Sequence, residues 1–161
     1  MRTRIWNNMA NIKFKAVYTG ECSRRADLIG RWYSCFLAFA SASSVAAWTI
    51  WKTIPDLWAG VVGFGQVLHL VKPYLPLIKN DKEFLEMSFA FESLYLEYER
   101  FWVAFDDDRI PNEEAEARFY VLREKEVEIE KMHKHVHCPR FQKLIAKADQ
   151  DAKTALSLNF S

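Results

Sequence analysis

One short segment of the chain is rich in metal-ligand side chains, His133-Lys-His135-Val-His137-Cys138. On a helix His133 and His137 lie one turn apart and can share a zinc ion, with Cys138 as a soft donor beside them. His135 falls on another face, however, and no second pair of ligands occurs in the chain. Because a helix C-terminus also favours imidazole side chains through its dipole, we expect no metal here, or metal bound only between subunits.

Catalytic patterns are scarce elsewhere in the sequence. Four glutamates alternate along one stretch: Glu124, Glu126, Glu128 and Glu130. Such a run is typical of a solvated helix face rather than of a general acid and base. The sequence has no Gly-x-Ser-x-Gly motif, and its glycines do not form a phosphate-binding loop. We therefore expect neither an enzyme nor a cofactor.

A different kind of candidate site lies in the apolar middle of the chain. Gln66 and His69 stand three residues apart on one predicted helix face. Because an ionisable group is costly in lipid, they are candidates for lining a water-filled path in an oligomer, together with Ser41 and Ser44. The alternative is that they make hydrogen bonds between helices in a tight bundle.

The elements that must position these residues follow from the distribution of charge. The net charge of +1 is an average over unlike parts. Residues 1–31 hold seven Lys and Arg against two Asp and Glu, whereas residues 79–161 hold thirteen against eighteen. The 47 residues between them, 32–78, carry only three charges. The sequence therefore predicts three segments: a basic amphipathic helix, an apolar hairpin and a polar helical domain.

The middle segment is typical of a transmembrane hairpin with helices at about 32–51 and 55–78. Its first run, Trp32 to Trp51, has twenty uncharged residues, which span ~30 Å as a helix, close to the thickness of a hydrocarbon core. Aromatic residues stand at the ends of the runs, as in an interfacial belt. Because the second uncharged run, Leu57 to Val71, has only fifteen residues, a buried hairpin in a soluble bundle stays open as an alternative.

Small residues and flanking charges complete the membrane interpretation. Residues that would let the helices pack closely are Ala38, Ala42, Ala46, Ala59 and Gly63. Lys and Arg cluster outside both open ends of the hairpin, whereas the turn holds Lys52 alone. The positive-inside rule then places both termini in the cytoplasm.

The polar domain is predicted to contain helices at about 81–106, 111–136 and 139–158, which makes the whole chain all-α. The first of these carries a heptad-like apolar stripe at alternating spacings of three and four: Phe84, Met87, Phe91, Leu94, Tyr98, Phe101 and Phe105. We expect this stripe to assemble the protein into a homo-oligomer or to bind a partner. For the basic N-terminal helix, membrane lipid is the simpler partner, although direct contact with nucleic acid stays open.

The order of these parts resembles a known family. A basic helix ends in Glu21-Cys-Ser-Arg-Arg-Ala-Asp-Leu-Ile-Gly-Arg31 and leads into the hairpin, and the next helix carries Phe91-Glu-Ser-Leu-Tyr-Leu-Glu-Tyr-Glu-Arg-Phe-Trp102. Over roughly residues 20–135 this architecture resembles the SLATT family of two-transmembrane effectors in bacterial anti-phage systems.

The resemblance implies a role rather than a reaction. A sensing partner, either a reverse transcriptase with its nucleic acid or a nucleotide-signalling protein, would hold the effector silent. Once released, the effector would disrupt or depolarise the inner membrane and cause abortive infection, with growth arrest or death. The alternative function is a non-toxic membrane-anchored helical adaptor for a partner enzyme.

Overall fold

The computed structural model describes residues 1–46, 60, 63–67, 69–70, 80–136 and 140–159. In this part of the chain every regular element is an α-helix: α1 (Arg2–Ala46), α2 (Asp81–Asp106), α3 (Asn112–Met132) and α4 (Gln142–Asn159). Residues 63–67 and 69–70 are also helical. The prediction of an all-α chain is confirmed.

The chain divides into two compact units. Residues Met1–Ser23 and Lys82–Ser161 form one unit, which we call the bundle, and Arg24–Asp81 form the other, which we call the middle unit. The bundle therefore joins the N-terminal helix to the polar domain, which the sequence had placed in separate segments. Helix α1 contributes to both units because no proline interrupts residues 2–46.

The bundle core forms where two heptad-like stripes meet. On α1 the buried residues Ile5, Met9, Ile12 and Ala16 recur at spacings of four and three, the period that keeps one helix face against a neighbour. Five residues of the predicted α2 stripe, Phe91 to Phe105, belong to the same core, and Met87 packs against it partly buried. Phe84 is buried outside this cluster. These side chains are covered by the chain's own helices, so the stripe is not the free oligomer surface that we expected, and a partner would need another surface.

Helices α1 and α2 approach closely at a glycine. A Cβ atom added at Gly20 would lie 3.0 Å from the Ser88 hydroxyl oxygen. That hydroxyl donates a hydrogen bond of 2.9 Å to the carbonyl oxygen of Ala16, one turn earlier on α1. The absent side chain therefore leaves room for a contact between α2 and the α1 backbone.

Helix α2 ends in a Schellman motif, which a residue with positive φ makes possible. Asp108 has a φ of 54°, in the left-handed region. Its amide donates to Phe105, and the amide of Arg109 donates back to Ala104. This pair of hydrogen bonds satisfies two of the last helical carbonyls and turns the chain toward α3.

Helices α3 and α4 complete the bundle. The buried face of α3 consists of Ala115, Phe119, Leu122, Glu126 and Ile129. The buried face of α4 repeats every four residues, at Leu144, Ala148, Ala152 and Leu156. Glu126 is the one charged side chain on these two faces, and it lies in the centre of the site described next.

Candidate functional site

Charged side chains meet inside the bundle around Glu126. Its side chain is 3% exposed, and its Oε1 atom accepts a hydrogen bond of 2.6 Å from Lys15 Nζ on α1. Arg123, one turn earlier on α3, donates to its other carboxylate oxygen. The same Lys15 also binds Glu130 at 2.6 Å, and Arg123 reaches Asn8 at 3.1 Å. We call Lys15, Glu126, Glu130, Arg123 and Asn8 the charged cluster.

The cluster corrects the interpretation of the glutamate run. Glu124, Glu128 and Glu130 are exposed, as expected of a solvated face, but Glu126 is buried. The signal was present in the sequence, because Glu126 continues the helical spacing of Phe119, Leu122 and Ile129. A carboxylate at that register position must be buried, and a buried carboxylate needs positive partners.

Tyr98 faces the charged cluster from α2. It is fully buried, and its hydroxyl group has no hydrogen-bond partner in the described part of the chain. Burial, reinforced by the negative charge of Glu126 and opposed by Arg123, raises the pKa of Tyr98 well above 10.0. The phenol is therefore neutral at physiological pH and is unsuited to act as a nucleophile or base.

Lys15 is held in its charged form. Burial lowers its pKa, but hydrogen bonds to Glu126 and Glu130 and the charges of both carboxylates outweigh that effect, so its pKa is raised above 10.5. A lysine that stays protonated cannot serve as a base or nucleophile at neutral pH. The cluster ties α1 to α3 and offers no catalytic group.

The basic residues of the N-terminal helix are largely engaged in the same way. Arg2 lies 3.6 Å from Asp106, and Lys13 lies 2.7 Å from Glu92. With Lys15, these residues neutralise acidic side chains of α2 and α3. Much of the positive charge that the sequence had assigned to lipid or nucleic acid therefore forms ion pairs within the bundle.

In the middle unit, His69 contacts α1. Tyr33 Oη lies 3.4 Å from His69 Nδ1, and the rings of Phe36 and Phe64 meet edge to face at 6.1 Å. The later residue of α1, Phe36, contacts the earlier residue of the second stretch, Phe64, so the two stretches run antiparallel. Of the two alternatives for His69, the structure contains the contact between helices.

Gln66 is exposed and makes no side-chain hydrogen bond within the described residues. It therefore keeps both predicted possibilities, the water-filled path and a contact with another helix. Ser41 and Ser44, like Ala42 and Ala46, lie within α1, but the described side chains do not include theirs.

The small-residue packing surface is described only at its edges. Ala38 is exposed, and a Cβ atom added at Gly63 would meet open space. Ala59 lies outside the described residues. Close helix packing through these positions stays a prediction.

Large apolar side chains face outward on the middle unit. Trp32 is 77% exposed, and Leu70 is 68% exposed. Four more are exposed around them: Leu28, Ile29, Phe64 and Val67. The described residues of the middle unit, by contrast, contribute no member to the chain's hydrophobic core cluster. Where such exposed side chains form a contiguous patch, they mark a site of contact with a membrane or another protein.

The histidine segment forms no metal centre in its described part. His133 Nδ1 lies 2.9 Å from the carbonyl oxygen of Ile129, one turn back on α3, and His135 lies 3.2 Å from Glu83. His137 and Cys138 fall outside the described residues. Among the residues that are described, no group of three or more His, Cys, Asp and Glu side chains could hold a metal ion.

Three comparisons with known proteins found no match. No protein-family model, no curated protein and no solved structure matches it. Within the described ranges, none of the helices combines the length and apolar character needed to cross a bilayer. The two apolar runs at 32–51 and 55–78 extend through residues that lie outside those ranges.

Proposed function

We propose that the protein is a two-transmembrane membrane effector of bacterial anti-phage defence. The apolar runs of residues 32–78 insert as a hairpin into the inner membrane, and the bundle remains in the cytoplasm with both termini. When a sensing partner releases or activates the effector, neighbouring hairpins disrupt or depolarise the membrane and cause abortive infection. The resemblance to the SLATT family supports the biological setting of this proposal.

The observation that carries the proposal is the exposure of large apolar side chains in the middle unit, whose described residues contribute nothing to the hydrophobic core cluster. The bundle buries its apolar stripes and pairs Lys13 and Lys15 with acidic side chains. The middle unit instead presents Trp32, Phe64 and Leu70 outward. A surface with so many large apolar groups is unfavourable in water and favourable in a bilayer.

Gln66 supplies the polar group that a conducting assembly needs. It lies beside exposed Phe64 and Val67 and has no hydrogen-bond partner in the described part of the chain. In a bilayer an unpaired amide is costly, so it favours either water or an amide from another subunit. The first outcome would make Gln66 line a water-filled path in an oligomer, and the second would make it a contact between helices.

The test is controlled expression of the full chain in bacteria without any partner, followed with a voltage-sensitive dye. We expect the wild-type chain to depolarise the inner membrane and Gln66→Leu to lose most of this effect at equal membrane content. His69→Leu, which removes the contact with Tyr33, should weaken it less. Gln150→Leu is the matched control, since Gln150 is an exposed side chain of α4 in the bundle. An unchanged membrane potential with membrane-bound wild-type chain would reject the effector function.

A second function, the non-toxic adaptor, is favoured by one surface of the bundle. Leu85, Phe89, Leu96 and Val103 are exposed on α2, on the side opposite its buried stripe. An apolar line along one helix suits the apolar face of a helix from a partner protein. The adaptor predicts a chain that sediments with membranes and leaves growth and membrane potential unaffected.

A further inference from the structure

The first residues of the middle unit form an unusual exposed face on α1. Arg24, Arg25, Leu28, Ile29 and Trp32 are all exposed. Their positions, at intervals of one, four, five and eight from Arg24, place them on one side of the helix. Guanidinium groups and large apolar groups thus share one surface, immediately before and at the start of the uncharged run that begins at Trp32.

Part of the positive charge of α1 lies on this exposed face. Arg2, Lys13 and Lys15 point their charges at carboxylates of α2 and α3. Arg25, in contrast, forms no ion pair within the described residues. The exposed guanidinium of Arg25 is therefore available to an external anion.

Asp27 neutralises one of the arginines near this face, Arg31. Its carboxylate binds Arg31 through two contacts, Nε to Oδ1 at 3.2 Å and Nη2 to Oδ2 at 2.6 Å. Both groups are exposed, so the pair is weak and open to competition from another anion. A phosphate group offers the same planar guanidinium a comparable two-point contact.

We propose that residues 24–32 of α1 bind the phosphate groups of anionic lipids at the cytoplasmic surface of the bilayer. Arg24 and Arg25 contact phosphates, and Arg31 exchanges Asp27 for a third. Leu28, Ile29 and Trp32 enter the boundary between headgroups and acyl chains, where an indole side chain is favoured. The inference rests on the proposed membrane location and adds the lipid class that α1 recognises.

The test uses the full chain, made by cell-free synthesis and titrated with vesicles of phosphatidylcholine alone or with phosphatidylglycerol. Flotation gives an apparent partition coefficient for each vesicle type. We expect phosphatidylglycerol to raise the partition coefficient. The double variant Arg24→Gln with Arg25→Gln should lower the coefficient for phosphatidylglycerol vesicles about twenty-fold, roughly five-fold for each arginine. Added salt should reduce the gain as well, because it screens exposed charges.

Two variants make the outcome specific. Asp27→Asn frees Arg31 and should strengthen binding to phosphatidylglycerol vesicles several-fold, a gain that loss of structure would not produce. Lys134→Gln with Lys143→Gln removes the same charge from exposed positions of the bundle and should change little. If phosphatidylglycerol gives no gain while the chain still floats on both vesicle types, the lipid contact is wrong and the membrane location stands. If the chain floats on neither vesicle type, the membrane location itself is wrong.

Discussion

Replacing Glu126 with Gln should destabilise the bundle far more than any other change in the glutamate run. The substitution keeps the shape of the side chain and removes its charge. Lys15 and Arg123 then lose their shared buried carboxylate, while Glu130 and Asn8 remain as weaker partners. Breaking a buried ion pair by removing one partner costs about 3–5 kcal/mol, because the remaining charge is left uncompensated.

The partial exposure of the two cations lowers this estimate of the lost stability. The side chains of Lys15 and Arg123 are 26% and 41% exposed, so water compensates part of the loss. We expect a decrease of about 2–3 kcal/mol in the free energy of unfolding, which for a domain of this size lowers the unfolding midpoint by roughly 8–15 °C. Circular dichroism of the detergent-solubilised full chain during heating measures this shift.

A matched substitution isolates the effect of burial. Glu128 is exposed on the same helix and forms no ion pair in the described part of the chain, so Glu128→Gln should change stability by less than about 0.5 kcal/mol. A double-mutant cycle of Glu126→Gln with Lys15→Met should give a coupling of about 1–3 kcal/mol. Equal midpoints for Glu126→Gln and Glu128→Gln would refute the reasoning, because they would show that Glu126 is hydrated.

Three further predictions concern the stability of the chain. The pKa values of Lys15 and Tyr98 are raised above 10.5 and 10.0, so the stability they contribute is complete below about pH 10 and is lost as the pH rises through the folded-state values. The unfolding midpoint should therefore be constant from about pH 7 to 9.5 and lower at about pH 11. Tyr98→Phe removes a buried hydroxyl group that has no partner and should stabilise the chain by up to about 1–2 kcal/mol in denaturant titration, whereas a loss of stability would show that the hydroxyl is hydrogen-bonded. Gly30→Ala meets open space and should stabilise α1 by about 0.5–1 kcal/mol, but Gly20→Ala should give no such gain because its Cβ displaces Ser88 from its hydrogen bond; equal gains in thermal melts would contradict the close approach of α1 and α2.

Several elements of the bundle could be predicted because their signals are local. The α2 stripe recurs at spacings of three and four, and the structure places α2 at Asp81–Asp106, the range that these spacings indicate. The way α2 ends could not be predicted, since a left-handed Asp108 is a property of backbone geometry that residue types alone do not reveal. Local periodicity therefore predicts which face of a helix is apolar, and not which element covers it.

The charged cluster could not be predicted because its members lie far apart in the sequence. Lys15 and Glu126 are separated by 111 residues, and each is surrounded by charges that indicate a solvated surface. Only the register of Glu126 among Phe119, Leu122 and Ile129 pointed inward. For the same reason the basic arm and the acidic domain were interpreted separately, although their charges compensate each other within the bundle.

The central claim is that this chain makes a membrane leak once no partner holds it silent. The most direct measurement reconstitutes the purified full chain into vesicles that hold a potassium diffusion potential and follows that potential with a dye. We predict that wild-type chain dissipates the potential and that Gln66→Leu, incorporated to the same extent, largely preserves it. A potential that remains intact in vesicles containing the wild-type chain would contradict the account and leave the adaptor as the better explanation.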